Sequence, residues 1–404
     1  MGMRDFLFAR LLAALFALAL PAAQAEARAP VTILVSIDGA HPSYLGRGDT
    51  PHLDALADAG ASAALRPSFP TKTFPNHHTI VTGLHPDRHG IVDNNMEDPE
   101  WTRRRFTLGD QQMSLDPFWW RDAEPAWTTA ERAGIRTGTM FWPGAEVAHD
   151  GIRPSAWSRY DMNVTEGQRI ETVLDWMRRP ADIRPRFVTL YFDTVDWEGH
   201  DHGPNSEEVR TAIRNVDALL GRLVAGLAEL GQPADFVIVS DHGMAETSSE
   251  RVVLIDDWLD RETYHLISSG AFLSLAPQPG REAELAARLA VPPAHVQCWT
   301  RETLPARFLY GTHRRVPPHF CLADTGWLIE RRAPEAPFTR GMHGYDNRDD
   351  TMLGIFIASG PRLARGAAPA ELNSVDIYPL LARLVGFPPN AHQGDAAATA
   401  GLLR

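Results

Sequence analysis

Aspartate and histidine residues recur in four short segments of the sequence that follow predicted strands or lie in loops. The segments begin at Asp38, Asp193, Asp241 and His343. Carboxylate and imidazole groups without a thiolate suit zinc or a similar divalent ion. The ligand set is too large for one tetrahedral ion and fits two. Because two ions about 4 Å apart can clamp the attacking and leaving oxygens of an in-line displacement, the segments predict a two-metal site for chemistry at phosphorus.

Each of these segments also has an ordinary structural explanation. An Asp-Gly pair after a strand is usually a turn, and the sixteen histidines of the chain allow chance clusters. The recurrence of Asp and His after several predicted strands favours a site, because ligands of open α/β sheets bind beyond the carboxyl ends of the strands. Neighbouring glycines would allow the backbone to approach closely at these positions.

Residues 70–77 contain a candidate nucleophile, Thr73. Pro75 can start a helix that runs through His78 to Leu84, which would place Thr73 at or near its N-cap. Free backbone N–H groups and the helix dipole favour an anion there. A threonine hydroxyl is a weak nucleophile that metal coordination can activate. The alternative is an ordinary threonine N-cap.

The elements that must position these residues alternate between short β-branched runs and amphipathic stretches. The runs predict buried strands at residues 31–37, 136–141, 187–192, 236–240 and 353–359. Helices are predicted to begin at Thr50-Pro51 and to cover about 205–230 and 373–385. This order indicates an α/β fold with a mainly parallel sheet, helices on both faces and inserted segments. Since no linker divides the chain, we expect residues 26–404 to form one catalytic domain.

The composition excludes several classes of protein. The 404 residues include 39 Lys and Arg against 51 Asp and Glu, a net charge of −12, which argues against binding to a nucleic-acid duplex. A hydrophobic fraction of 44% excludes a disordered chain. Lys72 is the only lysine.

The first 25 residues have the pattern of a secretory signal peptide. A basic start, an apolar run over 11–20 and Ala23-Gln24-Ala25 occur in that order. We therefore expect a periplasmic or secreted protein with no membrane anchor after cleavage. An oxidising compartment favours a disulfide between the only two cysteines, Cys298 and Cys321, over two buried free thiols.

Several motifs together resemble the nucleotide pyrophosphatase/phosphodiesterase family of the alkaline phosphatase superfamily. The likeness runs from about Val31 to the C-terminus. Its motifs are FPTKTFPNH at 69–77, VTGL at 81–84, HGIVDN at 89–94, Asp196 with Gly199-His200, SDHGM at 240–244 and HGYDN at 343–347.

The resemblance implies an alkaline-phosphatase-like fold and two zinc ions. Thr73 is implied as the nucleophile that forms a covalent nucleotidyl intermediate, and Asn94 as a hydrogen-bond donor to a non-bridging phosphoryl oxygen. Asp193 is not implied as a ligand, since Asp196 has the Gly-His at the family's spacing. One zinc would be bound by Asp196, His200 and His343, and the other by Asp38, Asp241, His242 and Thr73.

The same resemblance implies a slot for the nucleobase. Phe74 and Tyr160 would form its two faces, with Leu108 and Trp142 as further lining; ordinary packing is the alternative for Tyr160 and Trp142. Lys72 would belong to the phosphate environment, or would simply face solvent. Residues 146–160 are similar to a segment of nucleotide-hydrolysing members, and Glu146 replaces a common Asp.

These observations favour an exported two-zinc phosphodiesterase or pyrophosphatase that acts on a small nucleotide and releases a nucleoside 5′-monophosphate. A phosphodiesterase for choline-type lipid head groups is an alternative. A catalytically inactive metal- or nucleotide-binding protein of the same fold is a second. The base preference and the oligomeric state stay open.

Overall fold

A computed structural model describes residues 28–102 and 104–404. The predicted signal peptide at residues 1–25 lies outside the described residues. Within them, none of the helices combines the length and the apolar character needed to cross a bilayer.

The strands are numbered here in chain order. They are β1 (Val31–Ile37), β2 (Ala61–Arg66), β3 (Asn95–Glu97), β4 (Arg105–Thr107), β5 (Thr137–Met140), β6 (Ala156–Trp157), β7 (Phe187–Phe192), β8 (Ala234–Val239), β9 (Ala245–Ser248), β10 (Val252–Leu254), β11 (Tyr264–Ser268), β12 (Phe272–Pro277), β13 (Val296–Thr300), β14 (His319–Ala323), β15 (Leu328–Glu330), β16 (Thr339–Met342), β17 (Gly354–Ser359) and β18 (Glu371–Asn373).

The α-helices are numbered in the same way, and short 3₁₀ turns occur between them. They are α1 (Pro51–Ala59), α2 (Thr73–Thr82), α3 (Pro86–His89), α4 (Gln111–Ser114), α5 (Pro117–Trp120), α6 (Ala126–Arg132), α7 (Glu166–Arg178), α8 (Thr194–His202), α9 (Glu207–Glu229), α10 (Glu282–Leu289) and α11 (Ile377–Val385).

The central sheet has eight strands in the order β18-β2-β17-β8-β1-β7-β5-β6. β1 pairs in parallel with both β7 and β8, and β5 pairs in parallel with β7 and β6. β17 is antiparallel to both of its neighbours. The prediction of a mainly parallel sheet is therefore confirmed, with one reversed strand inside it.

Helices cover both faces of this sheet because its strands are apolar on both sides. In β1, Ile33 and Val35 pack with residues of α1, α7 and α9, whereas Leu34 packs with residues of α6 and α11. This division follows from the period of two in a strand, which points successive side chains to opposite faces. Packing in two apolar cores, one on each face of the sheet, thus holds in place the strand ends that carry the site.

The predicted element boundaries agree with the structure to within a few residues. The strands predicted at 31–37 and 187–192 have the observed bounds of β1 and β7. The helix predicted over 205–230 is α9, which begins after Ser206, whose hydroxyl accepts the Val209 N–H. The last predicted helix begins later than 373, because residues 374–376 form a 3₁₀ turn before α11.

A second sheet contains the disulfide. Its four antiparallel strands have the order β11-β12-β14-β13, and the sequence did not predict it. Cys298 in β13 faces Cys321 in β14 and is bonded to it. The predicted disulfide is therefore present.

Candidate metal centre

Two of the predicted ligands extend from neighbouring parallel strands. Asp38 follows β1 directly, and Asp241 follows β8 by two residues. Because β1 and β8 run in parallel, both carboxylates emerge at the same edge of the sheet. Each side chain is at most 1% exposed.

The next pair of ligands lies on a helix. Asp196 is in the first turn of α8, and His200 lies one turn later on the same face, with 3.5 Å between His200 Nε2 and Asp196 Oδ2. Gly39 has φ +70° and a side chain there would meet the Asp196 Cα at 3.1 Å. The glycine after Asp38 thus permits α8 to approach the end of β1.

His343 reaches the centre from outside the central sheet. It follows β16, which pairs only with β9 in a two-stranded ribbon. Its ring stacks on that of His242 with 3.6 Å between centroids. Gly344, the next residue, has φ +112°, and a Cβ there would lie 2.7 Å from the Lys72 Cε.

The side chains converge into overlapping groups that could each bind an ion. In each group, one ligand atom from every member lies within 4.8 Å of the others. The groups are Asp196, His200 and His343; Asp38, Asp196 and His242; and Asp38, His77 and Asp241.

The hydrogen bonds of the histidines fit a metal-binding role. His200, His242 and His343 each pair Nδ1 with a backbone carbonyl, at distances of 3.0, 2.9 and 2.7 Å. A metal-ligating histidine usually donates its second ring N–H in this way. The three Nε2 atoms are therefore left for the centre.

The carboxylates supply the stronger test of fit. Asp38 Oδ1 and Asp196 Oδ1 are buried and have no hydrogen-bond partner, and the buried Asp241 Oδ2 faces the candidate ligand nitrogens His242 Nε2 at 3.0 Å and His77 Nδ1 at 3.4 Å. Unpartnered buried oxygens are costly unless a cation compensates them. Burial, together with the negative charges of Asp241 and Asp196, raises the pKa of Asp38 well above its usual value. These donors fit divalent ions.

Thr73 is the first residue of α2, and its hydroxyl lies 3.4 Å from His242 Nε2. The expectation that Pro75 starts this helix needs correction, because α2 begins two residues before Pro75. Thr73 does lie near the N-cap, since the N-cap is the preceding residue, Lys72. Proline is tolerated there because the first turn does not need its N–H.

Asn94 faces the same region with a defined amide orientation. Its Oδ1 accepts the Phe74 N–H at 2.9 Å. The Nδ2 donors are consequently directed away from that bond and are free to bind an oxygen of a substrate.

Lys72 is partly buried behind the metal centre. Its Nζ donates to the His343 carbonyl at 3.1 Å and lies 5.4 Å from the ring centroid of Phe272. Burial lowers the pKa of this ammonium. This hydrogen bond connects Lys72 to the loop that carries His343.

A cleft of about 850 Å³ opens beside Thr73, Asp38 and Asp196. The predicted base-slot residues Phe74, Leu108, Trp142 and Tyr160 all line it. Trp142 is only 1% exposed, and its indole N–H donates to the His77 carbonyl.

Asp193, which the resemblance does not imply as a ligand, belongs to none of the three candidate ion-binding groups. Its Oδ2 accepts the Tyr160 hydroxyl at 2.5 Å, and it forms an ion pair with Arg169 at 3.2 Å. Asp193 therefore fixes one wall of the cleft.

Two side chains of the centre were missed by the sequence analysis. His77 contacts Ser36 Oγ at 2.8 Å, the Thr73 carbonyl at 2.9 Å and Asp241 Oδ2 at 3.4 Å. Tyr191 donates to Asp38 Oδ2 at 2.7 Å. His77 could have been predicted, because it lies one helical turn after Thr73. Tyr191 could not, because it lies in the mostly apolar strand β7.

Comparison with known proteins identifies a family. Residues 32–346 match the family model described as type I phosphodiesterase / nucleotide pyrophosphatase. The chain is 34% identical over 399 residues to ectonucleotide pyrophosphatase/phosphodiesterase family member 1 of Mus musculus, a match that covers 95% of this chain and 44% of that protein. It is 34% identical over 383 residues to bis(5′-adenosyl)-triphosphatase enpp4 of Mus musculus, covering 94% and 82%. The chain thus spans less than half the length of the first relative.

Solved structures give the same result. Human ectonucleotide pyrophosphatase/phosphodiesterase 5 superposes with a TM-score of 0.87 at 32% identity, covering 92% of this chain and 99% of that one. An inactive murine form of that protein in complex with AMP has a TM-score of 0.87 at 33% identity, covering 93% and 100%. The chain belongs to the type I phosphodiesterase/nucleotide pyrophosphatase family and has its alkaline-phosphatase-like fold.

Proposed function

We propose that this protein hydrolyses phosphodiester or phosphoanhydride bonds of nucleotides at two zinc ions and releases a nucleoside 5′-monophosphate. The observation that carries the proposal is the convergence of three buried carboxylates, two of which have an oxygen without a hydrogen-bond partner, with histidines that include His242, which the Thr73 hydroxyl contacts. The nucleotide class is supported by the aromatic cleft next to them. It is also supported by relatives named as nucleotide pyrophosphatases and by a neighbour in complex with AMP.

The proposed ligand sets divide the centre between two ions. Asp196, His200 and His343 would bind one ion, and Asp38, Asp241, His242 and Thr73 the other. When bound, the ions would compensate the carboxylates, lower the pKa of coordinated hydroxyl groups and stabilise charge on phosphoryl oxygens.

The chain's own residues would perform the first half of the reaction. Thr73 gives up its hydroxyl proton to solvent as Oγ1 attacks the phosphorus, a P–O bond to Thr73 forms, and the P–O bond to the leaving group breaks with its electron pair on the leaving oxygen. The Asn94 amide donates to a non-bridging oxygen as charge develops there. Phe74 and Tyr160 hold the base in the cleft.

Water completes the cycle. Its oxygen attacks the same phosphorus, the bond to Thr73 Oγ1 breaks, and one proton of the water returns to the threonine while the monophosphate leaves. A neutral amide such as that of Asn94 is better suited to binding a phosphodiester than a phosphomonoester dianion, because the diester carries one fewer negative charge.

We also propose that residues 1–25 direct export and that residues 26–404 act as one catalytic domain in the periplasm or outside the cell. The Cys298–Cys321 disulfide supports an oxidising compartment.

The test combines metal analysis with a substrate panel. We expect about two zinc per chain, and AMP release from ATP and from a dinucleotide. Thr73→Ala should lower turnover on the order of 10³-fold or more, whereas Thr73→Ser keeps a hydroxyl and should retain more activity.

Three outcomes would contradict the proposal. Hydrolysis of glycerophosphocholine alone would favour the lipid-head-group alternative. Metal binding without turnover of any panel member would favour a binding protein. Full activity of Thr73→Ala would reassign the nucleophile.

A further inference from the structure

A second cavity, of about 630 Å³, lies beside the metal centre and is rich in arginine. We call it the arginine pocket. Its charged lining residues are Arg261, Arg331, Arg332, Arg340, Asp201, Glu330 and His200. It shares no lining residue with the aromatic cleft.

Three of the arginines are free to bind an anion. Arg331, Arg332 and Arg340 are exposed and form no ion pair within 4 Å with a carboxylate of residues 28–102 or 104–404. Arg261 is instead paired with Asp256. The acidic lining residues are Asp201 and Glu330, against four arginines.

The arginine pocket and the cleft approach each other at one pair of predicted ligands. Asp196 lines the cleft and His200 lines the arginine pocket, and their side-chain atoms come within 3.5 Å. Gly341 and Met342, which precede His343, also line the pocket. A substrate bound at the metal centre can therefore extend from one cavity towards the other.

The geometry of an in-line displacement suggests that the two cavities bind different parts of the substrate. The leaving group departs on the side of phosphorus opposite the attacking oxygen. Thr73 lines the cleft with Phe74, and it does not line the arginine pocket.

We propose that the arginine pocket binds the phosphate chain of the leaving group, which lies beyond the scissile phosphorus in nucleoside triphosphates and dinucleoside polyphosphates. When the bond from the α-phosphorus to the bridging oxygen breaks, that oxygen keeps the electron pair and the chain gains negative charge. Guanidinium groups match phosphate oxygens with paired donors. This inference rests on the proposed function and specifies its substrates.

The test compares two substrates that share the attacked phosphorus environment but differ in leaving group. ATP releases pyrophosphate, whereas the p-nitrophenyl ester of AMP, which has the same nucleoside, releases nitrophenolate. In metal-loaded Arg331→Ala/Arg332→Ala, we expect kcat/KM for ATP to fall about tenfold or more relative to that for the ester, since each lost contact is charge-assisted. Arg331→Lys/Arg332→Lys should show a smaller fall.

Arg365→Ala/Arg383→Ala is the matched control. Both residues are exposed and line neither cavity. Their replacement changes the net charge by the same amount as the pocket variant, so this control measures how much the overall charge of the protein attracts the anionic substrate. Equal ATP-to-ester ratios in the wild type and the pocket variant would overturn the proposal. So would an equal fall in the control.

Binding of inorganic pyrophosphate to the metal-loaded protein, measured by calorimetry, separates this inference from the proposed function. We expect about tenfold weaker affinity in the pocket variant than in the wild type. If the wild type cleaves neither substrate, the proposed function fails, while an unchanged pyrophosphate affinity overturns the pocket by itself.

Discussion

The hydroxyl of Tyr191 donates to Asp38 Oδ2 at 2.7 Å from within a mostly apolar strand. Its ring also packs edge-on against His77, with 5.2 Å between centroids. Such contacts orient a ligating carboxylate and so contribute to the affinity of a metal site.

Replacing Tyr191 with Phe should weaken zinc binding by roughly 10- to 100-fold, because Asp38 loses the partner that orients it. The measurement is competition with a chelator of known affinity. Tyr378→Phe is the control, since Tyr378 is also buried and its hydroxyl accepts the Asn390 N–H far from the centre. Equal zinc affinities for the two variants would exclude this function of Tyr191.

Some residues of the candidate site could be predicted from the sequence, and others could not. Asp38 and Asp241 follow predicted strands, so parallel pairing alone brings them together. Tyr191 could not be found, because β7 has the sequence FVTLYF, and two hydroxyl groups in a mostly apolar run look like ordinary strand packing. Arg331 and Arg332 were equally hidden, because exposed arginines are common in a chain with 39 basic residues.

At the scale of elements, a buried arginine joins the second sheet to the segments behind α2. Arg315, shortly before β14, donates to the Gly90 and Trp119 carbonyls at 2.7 Å and to Asp98 Oδ2 at 2.6 Å. The side chains of Arg315 and Asp98 are both 0% exposed. Arg314 also contacts Asp98, at 3.0 Å, but its side chain is 27% exposed.

Arg315→Met should lower the free energy of unfolding by about 3–5 kcal/mol, because it leaves the buried Asp98 carboxylate with only the Glu100 N–H and the partly exposed Arg314 as partners. Arg314→Met should cost about 1 kcal/mol or less, since the pair it removes is partly exposed. Urea unfolding of both variants checks the difference. Similar losses for the two variants would show that the burial of Arg315 is not decisive.

The same pair predicts a pH dependence. Burial would raise the pKa of Asp98, but hydrogen bonds from Arg315, the Glu100 N–H and Arg314 outweigh it and lower the pKa from 3.8. A depressed folded-state pKa stabilises the fold above the unfolded pKa, and this contribution is lost as pH falls through the folded value. The stability difference between wild type and Asp98→Asn should therefore shrink below about pH 4. A difference that stays constant from pH 6 to pH 3 would contradict this.

The elements differ in how far the sequence predicted them. β1 and β7 were predicted with their observed bounds because their residues are apolar on both faces. The second sheet was missed because its strands mix polar and apolar residues, as in β13 with its sequence VQCWT. Two of its three antiparallel pairs, β12–β14 and β13–β14, join segments that are far apart in the sequence, and no short-range pattern reveals such pairing.

At the scale of the whole molecule, the disulfide closes a loop between residues separated by 23 positions. The loop from Cys298 to Cys321 contains Arg315 and the first residues of β14.

Cys298→Ser/Cys321→Ser should lower the free energy of unfolding by about 3 kcal/mol, the chain-entropy cost of opening a loop of this length. Denaturant unfolding with and without a reductant provides the measurement. The reductant should destabilise the wild type by a similar amount and leave the variant unchanged. No response of the wild type to reduction would show that the bond contributes little.

Because Lys72, next to Thr73, is the only lysine of the sequence, a lysine-specific protease has a single cleavage site in this protein. A protease specific for lysine can cleave this chain only after Lys72, into residues 1–72 and 73–404. That bond enters α2 at the metal centre, and a protease needs several residues of extended chain to cut. When opening is fast relative to cleavage, the cutting rate follows the population of the open form. The rate at which the two fragments appear on a gel would therefore measure how often the chain opens locally at Lys72 and Thr73, without any label.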